Sequence, residues 1–223
     1  MKITISKENY LKAIAEAHSE GETVIAATLA RWLNVSAPAV TMAIRRLKRD
    51  GLIAVGAVAG EEGHIELTSE GREIANRVLT RHHLIERMLS EIFGMEWFKV
   101  HDEAEQLEHA VSAEFERRLL ERLGESEACP HGNRVGFDTT EDRRRRGWMP
   151  LNEMDSPDAL TVVSVYERDR KLLEYFHELG LRPGARLQVV SRNYDETITL
   201  RIQGTQIPLG ASAAARVWVA VEK

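Results

Sequence analysis

The spacing of hydrophobic residues changes character along this chain, and each change predicts a different kind of element. Residues 6–18 place Tyr10, Leu11, Ile14 and Ala17 on one helical face, with Ser6 as the cap and Gly21 as the stop. Ile25, Leu29 and Leu33 mark a second short helix, and Asn34-Val35-Ser36 is a turn of helix-turn-helix length. A third helix turns Val40, Ile44 and Leu47 inward. Pro38 is tolerated in its first turn, where the missing N–H costs little, and Asp50-Gly51 ends it. Leu52–Val55 and His64–Thr68 then read as strands around a Gly60–Gly63 tip bearing Glu61 and Glu62. Three helices and a hairpin in this order predict a winged helix-turn-helix.

Helical spacing returns afterwards. Ile74, Val78, Ile85, Met88, Leu89 and Ile92 line a helix from Ser69 to Phe93, and Leu107, Val111, Phe115 and Leu119 line another from about Asp102 to Leu123. So much apolar face needs cover, from its own domain and from a second subunit. Residues 124–158 lose periodicity and carry Pro130, Pro150 and Pro157, which predicts a linker or tethered loop. Leu160–Tyr166 is β-like, Lys171–Leu179 a short helix and Leu181–Gly184 a turn. Alternating strands follow at Arg186–Val190, Thr197–Ile202, Gln206–Leu209 and Val217–Val221, a pattern that suggests a small SH3-like barrel. The expected fold class is mainly α. A winged helix-turn-helix domain occupies 1–70, a helical dimerisation domain 71–142, a linker 143–158 and a small SH3-like β-barrel 159–223.

Charge sharpens this picture. The whole chain carries a net charge of −5, which does not advertise nucleic-acid binding. Between Ile25 and Gly51, however, the ionisable residues are Arg31, Arg45, Arg46, Lys48, Arg49 and Asp50, a strongly basic island in an acidic protein. The exposed side of the third helix would carry Thr41, Met42, Arg45, Arg46 and Arg49, with Ser36 and Pro38 at its entrance. Arginines and hydroxyls there can hold phosphates while the first residues reach base edges. A solvated helix face is the plainer alternative. The acidic wing tip argues against strong minor-groove contact, and the Arg143–Arg146 run reads as solvated linker rather than nucleic-acid contact. The single cysteine, Cys129, excludes an intrachain disulfide framework. With no signal-like or membrane-spanning apolar run, the expectation is a cytoplasmic protein that does not touch membranes.

The candidate chemistry lies in the helical body. His82 and Glu86 share a helix face at i, i+4; His101, Glu105, Glu108 and His109 share another. Imidazoles and carboxylates converging this way suit a divalent first-row metal, and oxygen-rich sets suit Mn²⁺ or Fe²⁺. The bland alternative is a salt-bridged surface, with Arg87, Arg117 and Arg118 as counterions. Cys129 with His131 is a second candidate pair, although a lone cysteine is more often simply buried. Two other functions fit in outline. One is a winged-helix regulator of an organic ligand with a structural His/Glu cluster. The other is a dimetal-carboxylate enzyme, disfavoured because Gln106 and Leu79 stand where its Glu-x-x-His motifs need Glu.

The blocks HHLIERML, KVHDEAEQLEH and CPHGN resemble the diphtheria-toxin-repressor family of metal-dependent transcriptional regulators, including its manganese-type branch. SAPAVTMAIRRLKRDGL resembles its recognition helix, and the tail with LGLRPG its SH3-like domain. The resemblance implies a non-enzymatic homodimer that binds palindromic double-stranded DNA operators near metal-uptake genes, with Mn²⁺ or Fe²⁺ as corepressor. It implies a primary metal site of Asn9, Glu105, Glu108 and His109, with His82 added in manganese regulators. It implies an ancillary site of Glu86 with His101 in one branch, or with Cys129 and His131 in the other. Glu167, or more weakly Ser164, would complete that second site from the C-terminal domain. Asn9 stands where iron regulators carry Met and manganese regulators Asp; Glu105 stands where iron regulators carry Cys, which tilts the expectation toward manganese. Met42 replaces a base-reading Gln.

Overall fold

The computed structural model describes residues 3–56, 63–124, 128–155 and 159–222. Its contacts divide the chain into two compact units, residues 1–82 with 135–140, and residues 83–134 with 141–223.

The first unit is built on α1 (Ile5–Ser19), α2 (Ala26–Leu33), α3 (Ala37–Arg49) and the hairpin β1 (Ile53–Val55) with β2 (Ile65–Leu67), paired antiparallel. The cap of α1 is Thr4, not Ser6: the Thr4 side chain accepts from the Lys7 amide, and Ser6 lies within the helix. Asn34 ends α2 in the left-handed region at φ +50, giving the sharp turn into α3. Leu11, Ile14, Val24, Leu29, Val40, Leu47, Leu52 and Ile65 form a common core, with Ile44 only partly buried against it. The wing tip expected at Gly60–Gly63, with Glu61 and Glu62, lies outside the described residues except for Gly63.

A long helix, α4 (Ser69–Arg87), leads from the first unit into the second and relaxes into a π-helical turn at Met88–Ile92. The single helix expected from about Asp102 to Leu123 is two: α5 (Val100–Leu107) and α6 (Ala113–Leu123). Ser112 is the reason, because its hydroxyl accepts from the Phe115 amide and starts a new helix. Leu107 and Phe115, expected inward, are exposed in the single chain, whereas Leu119 is buried. The tract expected to be irregular contains α7 (Thr140–Arg145) and β3 (Met149–Pro150). Nor is the arginine run merely solvated. Arg143 is buried, 5.2 Å from the Trp218 ring centroid, and donates to Asn133 Oδ1 at 3.5 Å.

The rest of the second unit comprises β4 (Leu160–Val165), α8 (Arg170–Glu178), β5 (Arg186–Arg192), β6 (Ile198–Ile202), β7 (Thr205–Leu209), α9 (Ala211–Ala214) and β8 (Val217–Val221), in the expected order except for the unexpected short helix α9. They form a six-stranded antiparallel sheet of order β3-β8-β4-β5-β6-β7. Leu160, Val162, Leu173, Phe176, Leu187, Leu200, Val217 and Val219 pack between this sheet and α8. The register of β4 against β8 shifts between Val162 and Ser164. No helix among the described residues is long and apolar enough to cross a membrane.

Candidate functional site

Within the second unit, side chains far apart in sequence meet in one buried cluster. Glu86 comes from the last turn of α4, His101 from α5, Cys129 and His131 from the loop after α6, and Glu167 from the residues following β4. His131 Nδ1 lies 3.4 Å from Glu86 Oε1 and 3.5 Å from Glu167 Oε2. His101 Nδ1 lies 3.2 Å from Glu86 Oε1 and 3.9 Å from Glu167 Oε1. The Cys129 thiol is 3.8 Å from His131 Nδ1 and donates to Glu167 Oε2 at 3.6 Å.

His83 belongs here too, and the spacing argument passed over it. Its Nε2 lies 3.5 Å from Glu167 Oε1. One ligand atom from each of His83, Glu86, Cys129 and Glu167 falls within 4.8 Å of the others. His82 and His83 are neighbours about 100° apart on a helix, so spacing alone does not show what either imidazole meets.

The loop is held in place by the sheet. The Val165 amide donates to the His131 carbonyl at 3.0 Å, and Asn133 Nδ2 donates to the Val165 carbonyl at 3.3 Å and to Glu167. Gly132 has φ +80, and a Cβ there would come within 2.0 Å of the Val163 carbonyl oxygen. The contact falls at the register shift of β4. Ser164 is buried on that strand, and its Oγ has no hydrogen-bond partner among the described residues.

The electrostatics are those of a site with excess negative charge. Burial opposes a charged His131, yet Glu86 foremost, then Cys129 and Glu167, more than offset this and raise its pKa well above the ordinary imidazole value. Burial and Glu86 both work against an ionised Glu167, but hydrogen bonds from His131 and His83 hold it well below the usual carboxylate range. Burial first, then Glu86 and Glu167, push the Cys129 thiol far up. His131 Nε2 is buried and without a hydrogen-bond partner among the described residues. Paired buried carboxylates, imidazoles and one thiol fit a divalent cation, which would relieve the repulsion that they otherwise impose on one another.

The salt-bridged-surface alternative describes exposed Glu105, 3.6 Å from Arg168 Nη1, but not the buried cluster. Glu86, His101 and His131 are all buried. Arg87 is engaged by Glu91 and by the Leu123 and Gly124 carbonyls, and Arg117 and Arg118 pair with Glu114.

The remaining candidates are arranged as follows. Glu105 is on α5, with Oε1 3.7 Å from His101 Nε2 and 3.6 Å from Arg168 Nη1. Glu108 is not within the helix but is its C-cap, and His109 sits in the turn beyond; the two are 3.4 Å apart, Glu108 buried. In the first unit, Asn9 is exposed on α1, and His82 is buried with its Nδ1 3.0 Å from Lys12 Nζ.

The first unit also carries a basic helix face. Val40, Ala43 and Leu47 bury one side of α3, leaving Ser36, Pro38, Thr41, Met42, Arg45, Arg46 and Arg49 exposed. Ser36 is the N-cap, and its side chain makes no capping bond among the described residues. Thr41 Oγ1 donates to the Ala37 carbonyl at 3.0 Å, and Arg49 Nε to Asp50 Oδ1 at 3.3 Å. Asp50 in turn pairs with Lys7 at 2.9 Å, tying α3 to α1.

The chain matches the family models described as the iron dependent repressor N-terminal DNA binding domain over residues 2–58, and the metal binding and dimerisation domain over 68–135. Residues 149–221 match the FeoA domain. It is 33% identical over 211 residues to the diphtheria toxin repressor of Corynebacterium diphtheriae, covering 91% of each chain. A solved manganese-dependent transcriptional repressor in complex with manganese superposes with a TM-score of 0.85 at 31% identity, covering 97% of this chain and 100% of that one. The manganese regulator SloR superposes with a TM-score of 0.80 at 27% identity, covering 99% and 100%.

Proposed function

The chain belongs to the iron-dependent repressor family of metal-dependent, DNA-binding transcriptional regulators, and on that premise we propose that Mn²⁺ is its corepressor, with Fe²⁺ second. It is a repressor of transcription, not an enzyme. Its targets in this reading are metal-uptake and metal-homeostasis genes, bound as a cytoplasmic homodimer on palindromic operators.

The observation that supports this most strongly is the buried convergence of Glu86, His101, Cys129, His131 and Glu167. By resemblance, Asn9, His82, Glu105, Glu108 and His109 form the corepressor set, and the buried cluster forms the ancillary one, with His83 added by its geometry here. Glu105, a hard oxygen donor where iron regulators carry a thiolate, favours Mn²⁺. A bound cation supplies positive charge where carboxylates otherwise repel one another.

The chain's own residues do the rest. Arg46 and Arg49 hold phosphates, while Ser36, Pro38, Thr41, Met42 and Arg45 lie where the start of a recognition helix meets the major groove. In a homodimer, two copies of α3 would read half-sites about 34–36 Å apart. Metal binding that favours this arrangement shifts the population toward the DNA-competent state.

The test is operator affinity measured by fluorescence anisotropy at buffered free Mn²⁺, Fe²⁺, Co²⁺ and Zn²⁺, and again in chelator. Mn²⁺ is expected to tighten binding most. Glu105→Ala and His109→Ala are expected to lose the metal response while keeping the wild-type circular dichroism spectrum. Equal affinity in chelator and in metal would overturn the proposal.

A further inference from the structure

Lys12 is a long cationic side chain almost entirely withdrawn from water, 3% exposed, on a helix whose neighbouring positions Tyr10, Leu11, Ala13, Ile14 and Ala15 are all core. A buried ammonium is costly unless it is paired and hydrogen-bonded. Here two groups of the same unit compensate it. His82 Nδ1 lies 3.0 Å from Lys12 Nζ, and Glu16 Oε1, one turn further along α1 and also buried, lies 3.8 Å away.

An ammonium has donors and no acceptor, so the 3.0 Å contact is a hydrogen bond given by Lys12 to an imidazole lone pair. His82 then carries its own proton on Nε2. We propose that Lys12 is a built-in stand-in for the corepressor cation: it occupies His82 in the metal-free protein and must be displaced before metal can bind there. The inference rests on the reading of His82 as a metal ligand.

Lys12 opposes loading whichever nitrogen the metal takes. At Nδ1 the metal would need the lone pair that the ammonium already uses. At Nε2 it would share one small ring with a fixed positive charge. Glu16, one turn along α1, is the acceptor within reach when Lys12 lets go of His82 on α4. Lys12 is therefore a positioning residue. It sets the metal concentration at which the protein responds and need not touch the metal itself.

Binding of Mn²⁺ to the full-length chain, by competition against a fluorescent chelator, tests this. Lys12→Met keeps the aliphatic stem and removes the charge, and is expected to bind Mn²⁺ at least ten-fold more tightly with unchanged stoichiometry. Lys12→Gln, which keeps a neutral donor, should fall between it and wild type. In a His82→Ala background the Lys12→Met gain should vanish, because the effect passes through that imidazole. A residue that merely supports the fold would weaken metal binding when replaced, never tighten it.

Two failures are distinguishable. If His82→Ala leaves Mn²⁺ affinity untouched, the assignment of His82 as a ligand is wrong. If His82→Ala weakens binding but Lys12→Met does not tighten it, the role given to Lys12 is wrong. Should Lys12→Met lower the thermal midpoint so far that it is unfolded at the assay temperature, the wild-type protein decides. In chelator, the ¹⁵N spectrum must show the His82 proton on Nε2 with Nδ1 as acceptor, and a proton on Nδ1 overturns the proposal.

Discussion

At Gly132 a hydrogen atom stands where no side chain fits. Its φ of +80 and the Val163 carbonyl 2.0 Å from a would-be Cβ both exclude alanine without backbone movement. Gly132→Ala is expected to cost about 2–4 kcal/mol of stability, read as a lower urea midpoint, and to weaken metal binding through the displaced His131. An unchanged midpoint would show that the loop has slack. Cys129→Ser keeps the shape and removes the soft donor, so it should abolish the near-ultraviolet thiolate-to-cobalt absorption of the Co²⁺-loaded protein. If that band survives, the thiol is not a ligand. At this scale the sequence was readable where spacing carries meaning: Cys129 and His131 stand out as a pair, and so do His82 and Glu86. It was silent on His83, whose contact with Glu167 comes from tertiary folding alone. It was silent too on Glu167 as a partner of Glu86, since only the family resemblance pointed there and residues 81 apart meet through tertiary folding alone.

Among the elements, α3 was legible almost to the residue, because its apolar and basic faces alternate with helical period and Pro38 and Asp50-Gly51 mark its ends. Arg46→Ala and Arg49→Ala should each weaken binding to operator and unrelated DNA alike and reduce the salt slope by about one. A loss confined to the operator would instead assign them to base reading. The break between α5 and α6 was not legible. The apolar repeat Leu107, Val111, Phe115, Leu119 runs straight through it, and only the Ser112 capping bond, a local hydroxyl competing with the helix, reveals the interruption. That break puts Glu108 and His109 at the end of a helix rather than on its face. The hairpin brings a pH dependence of its own. His18 of α1 lies 5.9 Å, ring to ring, from His64 beside β2. Burial foremost, then the like charges of His64 and Arg72, lower its pKa, against smaller opposing effects of Glu66 and the Ile65 backbone. A lowered folded value means that the unfolded chain takes up the proton first. Stability is therefore intact above about pH 6.5, the ordinary histidine value, and declines as pH falls below it. The thermal midpoint should drop between pH 7.5 and 5.5, and His18→Gln should flatten part of that drop. Equal slopes in variant and wild type would refute it.

For the molecule as a whole, the three changes in hydrophobic spacing anticipated the winged module, the helical body and the run of C-terminal strands, because each architecture imposes its own period. Pairing order was beyond reach: β3, a two-residue strand containing Pro150, gives no periodic signal, yet it borders β8 at the sheet edge. Saturating metal at about 100 times its Kd should stabilise the folded state by about 2.7 kcal/mol, a rise of roughly 5–10 °C in the unfolding midpoint of a chain of this size. Calorimetry with Mn²⁺ and with chelator measures it, and superimposable traces would rule out tight binding to the native state. The seam between the Cys129–Asn133 loop and β4 has a further consequence. The carboxyl-terminal third is no detachable ornament: cut the chain ahead of it and the chamber loses both its floor, the strand on which the loop rests, and one of its walls, Glu167. A shortened relative lacking those strands could keep Glu105, Glu108 and His109, but it would have to sense its ion without this chamber.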